Sequence, residues 1–365
     1  KDVSVNETDL DGITNFADNG VIHFSAYVKD ATSAAGARNA TLYTESAITL
    51  TIDQTAPASA VVASMITTGG NVYADCDGAG PCFWNSSNTG LNVVVTMPDD
   101  ATLVDGYAQV EKNINSGGWV RTGTPSQIKT AEEAAQSKTL SVTAANIEKA
   151  GLTEGQTIQI RAVLWDVAGN RVDGTTFANA LTIDQTAPTV DEVTSDANDG
   201  LTNPYKVGAT VDLKVSFDEV VNIVIGAGKP TLQLDTDNAP GSVNTEAVHN
   251  GTGTGTKFPL FRLTVALNNY SEKLNYRATN SLVLNNGTIR DAAGNDATLT
   301  LPDLADASAL AQKKTFWIDG VVPVIQTIGA VTTMGDTIVT GYWNAKNTGL
   351  TVVVPLVTTD ISLRG

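Results

Sequence analysis

Carboxylates recur in this chain at fixed places, beside other oxygen donors. The hexapeptide Ile-Asp-Gln-Thr-Ala-Pro occurs at Ile52–Pro57 and again at Ile183–Pro188, and a degenerate copy, Ile-Asp-Gly-Val-Val-Pro, spans Ile318–Pro323. Each copy carries an aspartate: Asp53, Asp184 and Asp319. Two Asp-x-Ala-Gly-Asn segments, Asp166–Asn170 and Asp291–Asn295, add a second carboxylate and an amide, and Asp30 ends a segment that aligns with the one ending at Asp166. Carboxylate, amide and turn-carbonyl oxygens are hard donors, the kind that Ca2+ takes in sets of about six to eight. The same residues also make a sound tight turn without an ion, because Gly and Asn tolerate positive φ and Asp caps backbone amides. On sequence alone both readings stand.

Other chemistry finds little footing. His23 and His249 lie far apart, without the neighbours of a nucleophile–base pair or a metal helix, and read as a solvent-facing strand residue and a loop residue. Gly251-Thr-Gly-Thr-Gly255 precedes no helix and reads as a hairpin or flexible loop, not a phosphate cradle. Asp235-Thr-Asp-Asn and Asp196-Ala-Asn-Asp-Gly imitate the start of a calcium loop but lack its later ligands, so both read as acidic turns. Asp75 and Asp77 are solvated loop residues that at most form a weak cation site. No catalytic residue is assigned, and the chain is not expected to be an enzyme. The only two cysteines, Cys76 and Cys82, suit a local disulfide closing an inserted loop, which points to an oxidising compartment. Trp119, flanked by Gly and Ser, is the tryptophan most suited to ligand contact, whereas Trp84 and Trp343 recur at one repeat position and read as structural.

The elements that hold these residues are strands. In Ile158–Leu164 the apolar side chains fall on every second residue, and Val211–Phe217 and Phe261–Leu267 behave alike. Short half-buried strands punctuated by Gly, Asn and Asp turns argue for packed antiparallel sheets, a β-sandwich. A short helical patch is expected over residues 143–150, between Thr143 and Gly151. The hexapeptides start 131 and 135 residues apart, one domain length, so they mark junctions between units. Phe83–Val95 is repeated as Tyr342–Val354, and Gly20–Asp30 matches Gly155–Asp166, so the expected division is 1–52, 53–183, 184–318 and 319–365, with partial units at both ends. A chain without an initiator Met reads as a piece of a longer polypeptide. Its partial units would be completed by further covalent sequence or by another copy.

Val211–Val221, Lys229–Leu234, Lys273–Tyr276 and Asn286–Asn295, in that order, resemble a bacterial immunoglobulin-like repeat of large cell-surface proteins. Residues 53–183, ending in Asp166–Asn170 and the hexapeptide, resemble a related repeat. The resemblance implies an all-β chain of tandem immunoglobulin-like β-sandwich domains in a linear array, of the kind found in adhesins, surface layers and fibres. In such a sandwich the turn between the last two strands lies where the chain enters the domain. The Asp166 turn should therefore approach Asp53, and the Asp291 turn should approach Asp184.

Composition agrees with an exposed array. With 22 Lys+Arg against 39 Asp+Glu the formal net charge is -17, which disfavours nucleic acid and anionic lipid as partners. No apolar run is long enough to insert in a membrane. The expected function is a structural segment of an extracellular surface protein, a rod, surface-layer or filament subunit, with Ca2+ at its joints as the one candidate cofactor. Its partners would be neighbouring repeats or copies of itself. The competing expectation is a binding module that takes a glycan or protein ligand on loops present in one unit only, at residues 75–81 and 241–255.

Overall fold

The computed structural model describes residues 2–13, 16–26, 44–70, 76, 81–149, 151–199, 204–239, 241–323 and 327–356. The chain is almost wholly β and divides into two compact units, Lys1–Gln185 and Thr186–Gly365, the division falling inside the second hexapeptide.

The first unit opens with an antiparallel pair, β1 (Val21–Ala26) and β2 (Thr44–Thr51). Beyond the first hexapeptide stand two sheets. One has β3 (Val61–Gly69), β5 (Asn88–Thr96) and β8 (Ser137–Thr143) in the order β3-β5-β8. The other contains β4 (Cys82–Trp84), β6 (Tyr107–Ile114), β7 (Trp119–Gln127), β9 (Thr157–Trp165), β10 (Arg171–Asp173) and β11 (Leu181–Ile183). Its order is β4-β11-β9-β6-β7, with β10 also paired to β9.

The alternation seen in the sequence explains how the two sheets share a core. Ile158, Ile160, Ala162 and Leu164 of β9 are fully buried and meet Leu91, Val93 and Val95 of β5 in one apolar cluster. Ile183 of the second hexapeptide belongs to the same cluster, so the last strand of the sandwich and the linker are one continuous segment. Cys76 and Cys82 form the expected disulfide, with Cα atoms 5.3 Å apart; Asp75 and Asp77 lie outside the described residues.

Helix is confined to α1 (Glu7–Asp11), α2 (Thr130–Ala134), α3 (Ala144–Ile147) and α4 (Leu310–Lys313) among the described residues. The helix expected over 143–150 is thus shorter than its sequence signals. The buried Lys112 explains part of this: its Nζ donates to the carbonyls of Asn146 at 2.8 Å and Ile147 at 2.5 Å, satisfying groups that a longer helix would bond internally. Burial lowers the Lys112 pKa, with the nearby Lys149 charge adding to the effect. No helix among the described residues is long and apolar enough to cross a membrane.

The second unit is built on a larger sheet containing β12 (Val190–Thr194), β14 (Thr210–Phe217), β16 (Thr231–Asp235), β17 (Thr245–His249), β18 (Leu260–Thr264), β20 (Asn275–Tyr276) and β21 (Leu282–Val283). The order is β12-β14-β18-β17-β16-β20, with β21 paired to β16. Smaller sheets join β13 (Tyr205–Lys206) and β19 (Tyr270–Ser271) to β23 (Ile318–Asp319), and β15 (Asn222–Val224) to β22 (Thr288–Arg290). Val211, Leu213, Val215 and Phe217 are buried as their spacing requires, and Ile318 of the third hexapeptide joins their core. The strand Phe261–Val265 keeps its alternation, but Leu267, expected on the same face, is 52% exposed because β18 has ended at Thr264. The glycine run at Gly251–Gly255 connects β17 to β18, which pair antiparallel, as a hairpin connection should. After the third hexapeptide, β24 (Ala330–Gly335) pairs with β25 (Asn347–Val353).

His249 corrects the sequence reading. It is the last residue of β17, is 2% exposed, and places Nδ1 3.1 Å from the Leu260 carbonyl oxygen, its ring 5.6 Å from that of Phe261. Strand pairing with β18 carried it inward, where the sequence had suggested a loop. Burial lowers its pKa, so between its folded and unfolded pKa values the unfolded chain binds more protons. The stability involved is fully present above about pH 6.5 and is lost as pH falls toward the folded pKa. Urea unfolding of the second unit at pH 7.5 and pH 5.5 should show this loss, and His249→Gln should make the two midpoints converge. Equal midpoints in the unaltered chain would refute a buried neutral imidazole.

Candidate functional site

The two Asp-x-Ala-Gly-Asn turns fold into the same clamp. In the first unit the Asp166 amide donates to the Asn170 carbonyl at 3.2 Å, Asp166 Oδ1 accepts from the Asn170 amide at 2.8 Å, and Asp166 Oδ2 accepts from Asn170 Nδ2 at 3.0 Å. In the second unit Asp291 and Asn295 repeat these contacts at 3.2, 2.9 and 2.8 Å. Closing so tight a loop needs a residue of positive φ just before the asparagine, supplied by Gly169 at 95° and Gly294 at 88°. Asp166 and Asp291 are buried, at 2% and 3% exposure, and the clamp supplies the donors that a buried carboxylate requires.

The first clamp meets the first linker as expected. Asn170 Nδ2 also donates to Asp53, reaching its carbonyl at 3.1 Å and its Oδ1 at 3.3 Å. One amide therefore serves a carboxylate four residues before it and another 117 residues before it in sequence. This arrangement gathers oxygen atoms of Asp53 and Asp166 about a single point. The group occupying that point is a hydrogen-bond donor, the Asn170 side-chain amide.

The linker is also held from behind, by a residue that the sequence did not single out. The Asp18 carboxylate accepts from the Gln54 amide at 2.6 Å and from the Thr55 hydroxyl. These bonds lower the Asp18 pKa, the hydroxyl most. At the other end of the unit Glu154 accepts from the Gln185 amide at 3.0 Å, and the β-ladder bonds around Ile52 and Ile183 repeat as well. The signal was available: an acidic residue stands just ahead of Gly20 and of Gly155, the glycines that precede β1 and β9.

The aspartates of the other two hexapeptides stand at strand ends. Asp184 follows β11, its amide donating to the Trp84 carbonyl at 3.0 Å. Asp319 ends β23 and accepts from the Val321 amide at 3.2 Å, capping its own turn. Asp30 lies outside the described residues. In the second unit Glu219, not foreseen from sequence, brings its carboxylate within 4.8 Å of Asp291. Asp235 and Asp237 form an acidic turn: burial foremost, and then the neighbouring Asp237, raise the Asp235 pKa.

Trp119 is not free for a ligand in the way its neighbours suggested. The Arg161 guanidinium lies over its ring, 4.4 Å from the centroid, and Arg161 is itself paired with Glu111 at 2.7 Å and Asp173 at 2.8 Å. Trp84 fulfils the structural expectation, with its ring fully buried and Nε1 donating to Glu148 at 2.9 Å. No family model matches the chain, and no curated protein is significantly similar to it.

Proposed function

We propose that this chain is a structural segment of an extracellular surface protein, a linear array of immunoglobulin-like sandwiches whose linkers act as stiff joints. The observation that carries the reading is the double fastening of the first linker. Its Gln54 and Thr55 are bonded back to Asp18, while its Asp53 is bonded forward to Asn170 of the following sandwich. A flexible tether needs neither contact; a load-bearing joint needs both, because each removes rotational freedom from residues that would otherwise swivel. The disulfide and the acidic surface suit an oxidising exterior. Neighbouring repeats or further copies are the partners of such an array.

Calcium at the joints is part of this proposal. Asp53 and Asp166 supply carboxylates at one point, and Asp184 and Asp319 occupy the corresponding place in the other two hexapeptides. A bound divalent ion would reduce like-charge repulsion and add stiffness.

Backbone 15N relaxation across residues 52–57, with thermal unfolding in calcium and in chelator, tests both parts. Order parameters near the rigid value of about 0.85 are expected at Gln54 and Thr55, falling in Asp18→Ala and Asn170→Ala. Order parameters below about 0.6 in the unaltered chain would sink the stiff joint. Calcium should raise the midpoint of the first unit and fail to do so in Asp53→Asn. An identical midpoint in chelator removes the ion and leaves the hydrogen-bonded clamp as the sole fastening.

A further inference from the structure

The outer face of the larger sheet in the first unit carries a cleft of about 380 Å³, within the range of small-molecule sites. Its floor is aromatic. Tyr107 and Trp165 are directly paired across β6 and β9, so both rings stand on the same side of the sheet, and Tyr107 is 45% exposed. The wall is the exposed back of the clamped turn, Val167 to Gly169. Gly106 allows these parts to meet, since a Cβ there would come within 2.2 Å of the Trp165 carbonyl oxygen.

Polar groups of both kinds surround the rings. Arg121 lines the cleft with its guanidinium 4.9 Å from the Trp165 ring centroid and only a loose 3.9 Å contact to Glu111, so its donors are available. Asp105, held in place at φ 67°, offers a carboxylate with one bond, from Gln127 Nε2 at 3.2 Å. The decisive group is Gln109. It lines the cleft at 5% exposure, its Nε2 donates to the Gly123 carbonyl at 2.7 Å, and its Oε1 is buried without any partner. Buried acceptors are almost always satisfied, and an exception in a cleft points to a missing donor. The pairing of β6 with β7 shifts register beside it, between Ala108 and Val110, as strands do where a side chain is re-aimed toward a site.

We propose that this cleft binds a carbohydrate. A sugar ring has an apolar C–H face, which stacks on the exposed Tyr107 ring beside Trp165, whose own ring carries the Arg121 and Arg171 guanidinium groups at 4.9 and 5.8 Å, and a rim of hydroxyls that both donate and accept. Asp105 and Gln109 Oε1 take hydroxyl protons, and Arg121 donates to a ring or hydroxyl oxygen. A purely apolar ligand leaves all three polar groups idle, and an anion meets Asp105 at close range. This site is independent of the stiff-joint reading.

The test is titration of the 15N-labelled protein with the methyl glycosides of glucose, galactose, mannose and N-acetylglucosamine, following the tryptophan indole N–H signals. A proline-rich decapeptide serves as the protein-type probe. At least one glycoside should shift the Trp165 signal saturably and leave Trp84 unmoved. Tyr107→Ala, at an exposed position that the fold does not need, should weaken that binding at least about tenfold, as should Gln109→Leu. Absence of a saturable Trp165 shift with every glycoside, an unchanged affinity in Tyr107→Ala, or a response to the peptide alone would each overturn the proposal.

Discussion

Trp84→Ala is expected to destabilise the first unit by about 4 kcal/mol, the range typical of a large aromatic removed from a packed core. The ring is fully buried, in the apolar cluster that also holds Ile183, its parallel partner across β4 and β11. Its indole N–H is bonded to Glu148, which also accepts from the Gln185 side chain at 3.3 Å. Alanine therefore opens a cavity and withdraws a donor from a carboxylate at the second linker. Urea unfolding followed by far-UV circular dichroism measures the loss. Trp343 stands at the same repeat position but is 62% exposed, and Trp343→Ala should change stability by less than about 0.5 kcal/mol in this chain. Equal effects at the two positions would show that burial does not govern the difference.

Glu111→Ala should cost the same unit about 3 kcal/mol, the usual result of removing one partner from a buried ion pair. The Glu111 side chain is 5% exposed and receives Arg161 at 2.7 Å, Arg171 at 2.9 Å and, loosely, Arg121 at 3.9 Å. Asp173 pairs with Arg161 and Arg171 but is 44% exposed, so it cannot replace the buried charge. Without Glu111 the Arg161 guanidinium remains over Trp119, 14% exposed and short of a counter-charge. The double variant Glu111→Leu with Arg161→Met should recover much of the loss, since an apolar pair avoids the desolvation of both ions. A single-variant loss below about 0.5 kcal/mol would place Glu111 among ordinary surface pairs.

Period-two alternation in Ile158–Leu164 and Val211–Phe217 determined strands and their buried faces, because successive side chains of an extended chain point to opposite sides. The Cys76–Cys82 disulfide was legible too, since two cysteines so close in sequence have few alternatives. So was the approach of the Asp166 turn to Asp53, which the resemblance noted in the sequence led one to expect. The first two rest on local spacing, the third on the resemblance.

Only the tertiary structure decided what occupies each point. Asn170 turns its N–H groups toward both carboxylates, a choice that depends on two segments meeting and that neither segment encodes alone. His249 is buried because β18 pairs against β17, and Trp119 is covered because β9 brings Arg161 beside β7 through Glu111 of β6. Gln109 lacks a partner for Oε1 for the same reason: the partner of a side chain is set by the strands on either side of its own, and those come from distant parts of the sequence. In this chain, spacing along the sequence determined which residues face inward or outward, and strand order across the sheets decided what each of them touches.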